Sequence, residues 1–85
     1  MLPHRKLTRE FLTKQDRETF LDIVYKAKLS PKQKEILFMD LLDDQDHYFI
    51  GDTVGLTKGT IDHKTGPIYD LIYSYLTKHK LIMTV

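Results

Sequence analysis

Between Asp46 and Gly66 the chain reads DHYFIGDTVGLTKGTIDHKTG, and the placing of its apolar residues and glycines leaves few ways to fold. Ile50, Val54, Leu56 and Ile61 are spaced so that two short helices crossing over a turn would point all four into the angle between them. Gly51 is small where the crossing helices approach most closely. Gly55 falls at the end of the first helix, where a residue without a Cβ takes φ > 0 at little cost. Thr57 then stands as N-cap of the second helix, its hydroxyl facing the backbone N–H of Gly59 or Thr60, and Asp46 is the matching cap of the first. The expectation is a helix-turn-helix over 46–66, with the rest of the chain as scaffold.

At 85 residues and 41% hydrophobic content the chain makes one domain, 1–85, with enough apolar material for one compact core. With no Cys it has no disulfide framework and no thiolate metal site. No stretch approaches the roughly 20 apolar residues that cross a bilayer, and the N-terminus has no long apolar run, so no membrane partner is expected and the default compartment is the cytoplasm. The net charge of +1 conceals an uneven distribution: residues 1–34 hold 9 Lys/Arg and 4 acids, 35–55 none and 6, and 56–85 hold 4 and 2. A basic end, an acidic middle and a mildly basic C-terminal part can turn one face to phosphate and another to a basic partner; the alternative is an ordinary solvated surface.

Residues 1–12 mix Arg5, Lys6 and Arg9 with Leu2, Leu7, Phe11 and Leu12, which suggests a partly docked basic arm able to follow a minor groove or a phosphate backbone. The alternative is a frayed terminus without a partner. Thr13 to Lys28 is the first expected helix. Thr13 and Asp16 form a variant capping box, and Phe20, Ile23, Val24 and Ala27 make one apolar stripe. Asp22 and Lys26 make an i, i+4 pair. Ser30, Pro31 and Gln33 open a second helix with a capping box and a proline at its first position. Its run Ile36, Leu37, Phe38, Met39, Leu41, Leu42 is apolar nearly all round and predicts the central core helix, ended by Asp43, Asp44, Gln45 and Asp46. Three Asp in four residues resemble a calcium loop only superficially, since the glycine and terminal Glu of an EF-hand are missing.

Beyond Gly66, Pro67 suits either a new helix or a kinked continuation. Ile68, Leu71, Ile72, Tyr75 and Leu76 give an amphipathic helix over 67–80. Tyr69 and Tyr73 add a second stripe. With Leu81, Ile82 and Met83 that stripe suggests a dimer interface; the alternative is a Tyr pair packed against the N-terminal arm. Leu81 to Val85 reads as a short β-prone tail. The fold class is therefore all-α, a compact bundle of about four to five helices with a possible short C-terminal strand.

No catalytic constellation is visible. His4, His47, His63 and His79 are scattered without zinc spacing, there is no Gly-rich phosphate loop, and Ser30 and Ser74 have no partnered base. No cofactor and no metal are implied, and an enzyme is not the expected reading.

The run Phe49-Ile50-Gly51-Asp52-Thr53-Val54-Gly55-Leu56-Thr57-Lys58-Gly59-Thr60-Ile61 resembles the E-I-A-x-x-L-G-I-S-x-G-T-V pattern of the sigma-factor region-four domain and related small bacterial and phage regulators. Upstream, Leu29-Ser30-Pro31-Lys32-Gln33-Lys34-Glu35-Ile36 resembles the L-S-P-x-Q-x-x-[IV] start of the helix that precedes the motif in that family. The paired blocks cover roughly residues 29–76. Three features depart from the family: Gly51 replaces the usual Ala, Tyr48 and Phe49 stand where exposed acids are common, and Gly66-Pro67 interrupts the stretch where the reading helix continues.

The resemblance implies a double-stranded-DNA-binding transcription regulator, of a size usual in phages, plasmids or other mobile elements. Residues 57–66 would lie in the major groove, with Thr57, Lys58 and Thr60 near phosphates, Asp62, His63 and Gly66 at base edges, and Lys64 reaching either. Two copies on a two-fold site would supply specificity. The alternative is a protein-interaction module on the same scaffold, binding RNA polymerase or another protein through Tyr48, Phe49 and the acidic middle.

Overall fold

In the computed structural model, which describes residues 2–42 and 46–82, five α-helices follow one another: α1 (Pro3–Thr13), α2 (Arg17–Lys26), α3 (Pro31–Leu37), α4 (His47–Val54) and α5 (Lys58–Lys78). The expected all-α class holds. No strand occurs among the described residues: Leu81 and Ile82 form a bend, and Met83 to Val85, where most of the anticipated strand falls, lie outside them.

The basic arm expected over 1–12 is a helix. Leu2 is extended and Pro3 occupies the first helical turn, where its missing N–H costs nothing. Thr8 and Leu12, one turn apart, are buried against α5. The Thr8 hydroxyl donates to the His4 carbonyl at 2.8 Å, which makes its burial affordable. Thr13 closes this helix, donating to the Glu10 carbonyl, and does not open the next one. The cap of α2 is Asp16, which accepts from the Thr19 N–H at 2.7 Å. From there Phe20, Ile23 and Val24 enter the core as their spacing predicts. The chain leaves α2 through Lys28 in a left-handed conformation, φ 60°.

Ser30 and Gln33 form the expected reciprocal capping box. The second half of the expected core helix departs from α geometry: Phe38–Leu42 is a π-helical segment, in which the turn widens by one residue. Asp40 within it is 7% exposed. It follows Ile36 and Leu37 at i+4 and i+3, and so it falls on the face those residues bury.

The organising element is α5, not α3. Its 21 residues are about 31 Å long, close to the longest dimension of the molecule, 36 Å. All four other α-helices pack against it. The separate helix expected over 67–80 is the back half of α5, which runs unbroken through Pro67. Pro67 is on the exposed side, where a carbonyl without its helical donor can be hydrated. Ile61, Ile68, Tyr69, Ile72 and Leu76 are buried, whereas Leu71, expected on the same face, is 44% exposed.

Candidate nucleic-acid interface

The angle between α4 and α5 is fixed by close contact. Asp46 caps α4 through the Phe49 N–H at 2.8 Å, and Gly55 ends the helix at φ 79°. The Leu56 N–H returns to the Gly51 carbonyl at 2.7 Å. Thr57 then caps α5 through the Thr60 N–H at 3.2 Å. A Cβ on Gly51 would lie 2.4 Å from the Leu56 carbonyl oxygen, a main-chain atom that cannot swing aside. A glycine is thus demanded at position 51 by how tightly this turn crosses α4. Ile50 and Ile61 are fully buried in the angle, with Val54 and Leu56 packed beside them.

The face that α5 turns outward differs from the expected one. Thr57 is exposed and Thr60 half-buried, their hydroxyls 3.0 Å apart. Lys58 is exposed, but its Nζ sits 2.7 Å from Asp62 Oδ2 and over the Tyr48 ring. Asp62 is gripped from its other oxygen by His47 Nδ1. It therefore belongs to an internal network and does not present itself to base edges. Gly66 is also unavailable, because the Arg5 guanidinium covers it: a Cβ there would meet Nη1 at 2.4 Å. His63 and Lys64 are exposed and share a groove with Ser30, Lys32, Gln33 and Pro67.

Arg5 and Arg9 turn inward. Arg5 makes a two-pronged pair with Asp70, Nε to Oδ1 at 2.9 Å and Nη2 to Oδ2 at 2.7 Å, and His4 Nε2 joins at 2.6 Å. The Arg5 hydrogen bonds, seconded by His4, bring the Asp70 carboxyl down to about 2. Arg9 Nη1 donates to Asp40 Oδ2 at 2.7 Å and to the Tyr69 hydroxyl at 3.0 Å. Lys6 alone of the three expected arm cations is exposed to solvent.

A polar chain runs from α1 past the buried Asp40 to the N-terminal half of α5: Arg9, Asp40, His47, Asp62, Lys58, with Tyr69 as a branch at Asp40. Burial alone would lower the His47 pKa, but hydrogen bonds and charge from Asp62 and Asp40 outweigh it and the net shift is upward. Asp62 moves down in answer, chiefly through its hydrogen bonds with His47 and Lys58. Burial next to Asp40 pushes the Tyr69 hydroxyl far above the ordinary tyrosine range. The orientation of α5 is in this way tied to α1 and α4 by charge as well as by packing.

Tyr69, expected at a dimer interface, is 1% exposed and donates to Asp40 Oδ2 at 2.7 Å. Tyr73 is half-buried with its ring 5.1 Å from that of His4. The pair packs against α1, since a folded α1 covers the stripe that an extended arm would leave open. Leu81 is 46% exposed, Ile82 packs on the core, and Met83 lies outside the described residues.

Lys32 is a residue that sequence reasoning did not mark. It opens α3, yet its Nζ reaches the Val54 carbonyl at the end of α4, 3.4 Å away, beside the turn. Nothing in the spacing signals this, because it depends on how α3 crosses the α4–α5 pair. Asp40 and His47 did carry a signal, an acid at i+3 and i+4 on an apolar stripe and a histidine next to a cap. Among the described residues no group of three or more His, Asp or Glu side chains is arranged to hold a metal ion, and no helix is long and apolar enough to cross a membrane. No protein-family model, curated protein or solved structure matches this chain.

Proposed function

We propose that the protein is a sequence-specific DNA-binding transcription regulator that presents the N-terminal half of α5 to the major groove. The observation that carries this reading is the rigid α4–turn–α5 unit: a left-handed Gly55, a Gly51 with no room for a Cβ, and a Thr57 cap hold α5 at one angle and leave its N-terminal turns exposed. His63 and Lys64 lie on that outer face, and Lys32 flanks it. In this arrangement His63 meets base edges, Lys64 and Lys32 meet phosphates on either side, and the Thr57 end of α5 approaches the backbone. Lys58 contributes less, because Asp62 competes for it. One reading helix covers few base pairs, so the active species on an operator is a pair of copies related by a two-fold axis.

The test is a duplex titration against salt. Each lost phosphate contact lowers the log–log slope by about 1, so Lys64→Ala and Lys32→Ala each weaken binding and flatten the dependence, while Lys58→Ala does so less. Unchanged affinity and slope in folded Lys32→Ala/Lys64→Ala protein would refute groove insertion.

A second reading is favoured by a specific observation: Tyr48 and Phe49 on α4 are 68% and 50% exposed, beside a Lys58 already neutralised by Asp62. An aromatic pair next to acidic residues suits a protein surface such as RNA polymerase better than phosphate. Tyr48→Ala/Phe49→Ala separates the two, since it spares duplex affinity under the first reading and abolishes partner capture under the second.

A further inference from the structure

At the far end of α5 from the reading face, a groove opens between the end of α2 and the last turns of α5. Tyr25, Lys26, Lys28, Tyr75 and His79 line it. Tyr25 is 75% exposed, so the faces of a large aromatic ring are open to solvent at the rim of the groove. Lys34 Nζ sits 5.6 Å from the centre of that ring, and the His79 ring leans against that of Tyr75 at a tilt of 40°, their centres 4.4 Å apart. Lys78 continues the cationic rim along α5. Asp22, one turn before Lys26 on α2, holds that lysine at 3.1 Å, with both groups more than half exposed, so phosphate can displace it cheaply.

Lys28 adds a second observation. It sits at φ 60°, a conformation that glycine adopts without penalty and a lysine adopts at some cost. The chain keeps a cation at the mouth of the groove where glycine would be the easier fit. Lys80, just past the end of α5, turns in the same way at φ 58°, so this is how both helices end, and its consequence here is that the Lys28 cation is set at the mouth of the groove.

We propose that this groove binds single-stranded nucleic acid, with a base stacking on the exposed Tyr25 ring and Lys26, Lys28 and His79 following the phosphates. Cations placed around an exposed ring suit that ligand: an acidic peptide gains little from the ring, and a duplex keeps its base faces inside its own stack. The inference does not depend on the helix-turn-helix reading, because the two surfaces lie at opposite ends of a helix about 31 Å long.

The experiment is fluorescence anisotropy with a short labelled oligothymidylate and the full chain. Binding is expected to weaken linearly in log salt. Tyr25→Ala, which removes an exposed ring and leaves the core untouched, should cost about tenfold or more in affinity. Lys28→Gly fits the left-handed backbone and should reduce the salt slope by about 0.7. Lys64→Ala should leave oligothymidylate affinity unchanged, which separates this site from the duplex surface. No binding at low salt, binding indifferent to both Tyr25→Ala and Lys28→Gly, or displacement by polyglutamate as readily as by unlabelled oligonucleotide would overturn the proposal. The last result would assign the groove to acidic protein segments.

Discussion

Asp40→Ala removes the acceptor on which three elements converge. Oδ2 receives Arg9 Nη1 and the Tyr69 hydroxyl, each at 2.7 Å, and Oδ1 faces His47 Nε2 at 3.1 Å. With Asp40 7% and Tyr69 1% exposed, water cannot take the vacated place at the tyrosine. Breaking a buried ion pair from one side costs about 3–5 kcal/mol. Arg9 keeps 33% of its side chain exposed, so its own loss falls at the lower end, and the stranded hydroxyl adds about 1–3 kcal/mol. The sum is about 4–6 kcal/mol, a large fraction of what a domain of this size possesses. At about 4–8 °C per kcal/mol the midpoint should fall by roughly 15–50 °C. Circular dichroism during thermal and urea unfolding measures it. Tyr69→Phe alone should cost about 1 kcal/mol, and the double variant should be no worse than Asp40→Ala, because the hydroxyl has already lost its acceptor. A loss below about 1 kcal/mol for Asp40→Ala, or two losses that simply add, would refute the view that this network holds α1, the π-helical segment and α5 together.

His47, whose pKa is raised above 6.5, contributes stability that is complete below that value and fades as pH rises through the higher folded-state value; the margin of the parent over His47→Gln should shrink on going from about pH 6 upward, as pH-resolved denaturation will show. Asp70, lowered to about 2, contributes above 3.8 and loses that contribution as pH falls toward 2; a carboxyl titration followed by NMR should return toward 3.8 in Arg5→Ala. Gly51→Ala should cost roughly 1–3 kcal/mol because its Cβ strikes main chain at 2.4 Å. Gly66→Ala meets only the end of the Arg5 side chain and gains up to about 1 kcal/mol of helix propensity, so its melt should stay near the parent's while the Asp70 titration moves up. Ile36→Ala, at a residue 1% exposed, should cost about 2–5 kcal/mol.

Local chemistry was legible from the chain alone. The Ser30–Gln33 box, the Asp46 and Thr57 caps, the left-handed Gly55 and the Phe20-Ile23-Val24 stripe depend on residues within one or two turns, and such interactions are written in the spacing. One local reading failed through a neighbour of similar chemistry: Thr13 and Asp16 both suit a cap, and only the course of α1 shows that Thr13 belongs to its end. Pro67 left a new helix and a continuation both open, and the helix continues because the packing of Ile61, Ile68 and Ile72 against the other helices outweighs one missing hydrogen bond on an exposed face. The charges were the part the sequence could not place. Arg5, Arg9 and Asp62 looked like surface groups because a charge carries no mark of its partner, and the partners, Asp70, Asp40 and His47, stand 65, 31 and 15 positions away. Lys32 beside the turn, Tyr69 in the core and Tyr25 at the rim of a cationic groove were decided in the same way, by how five helices cross, since helical periodicity fixes which side a residue faces but not what waits there.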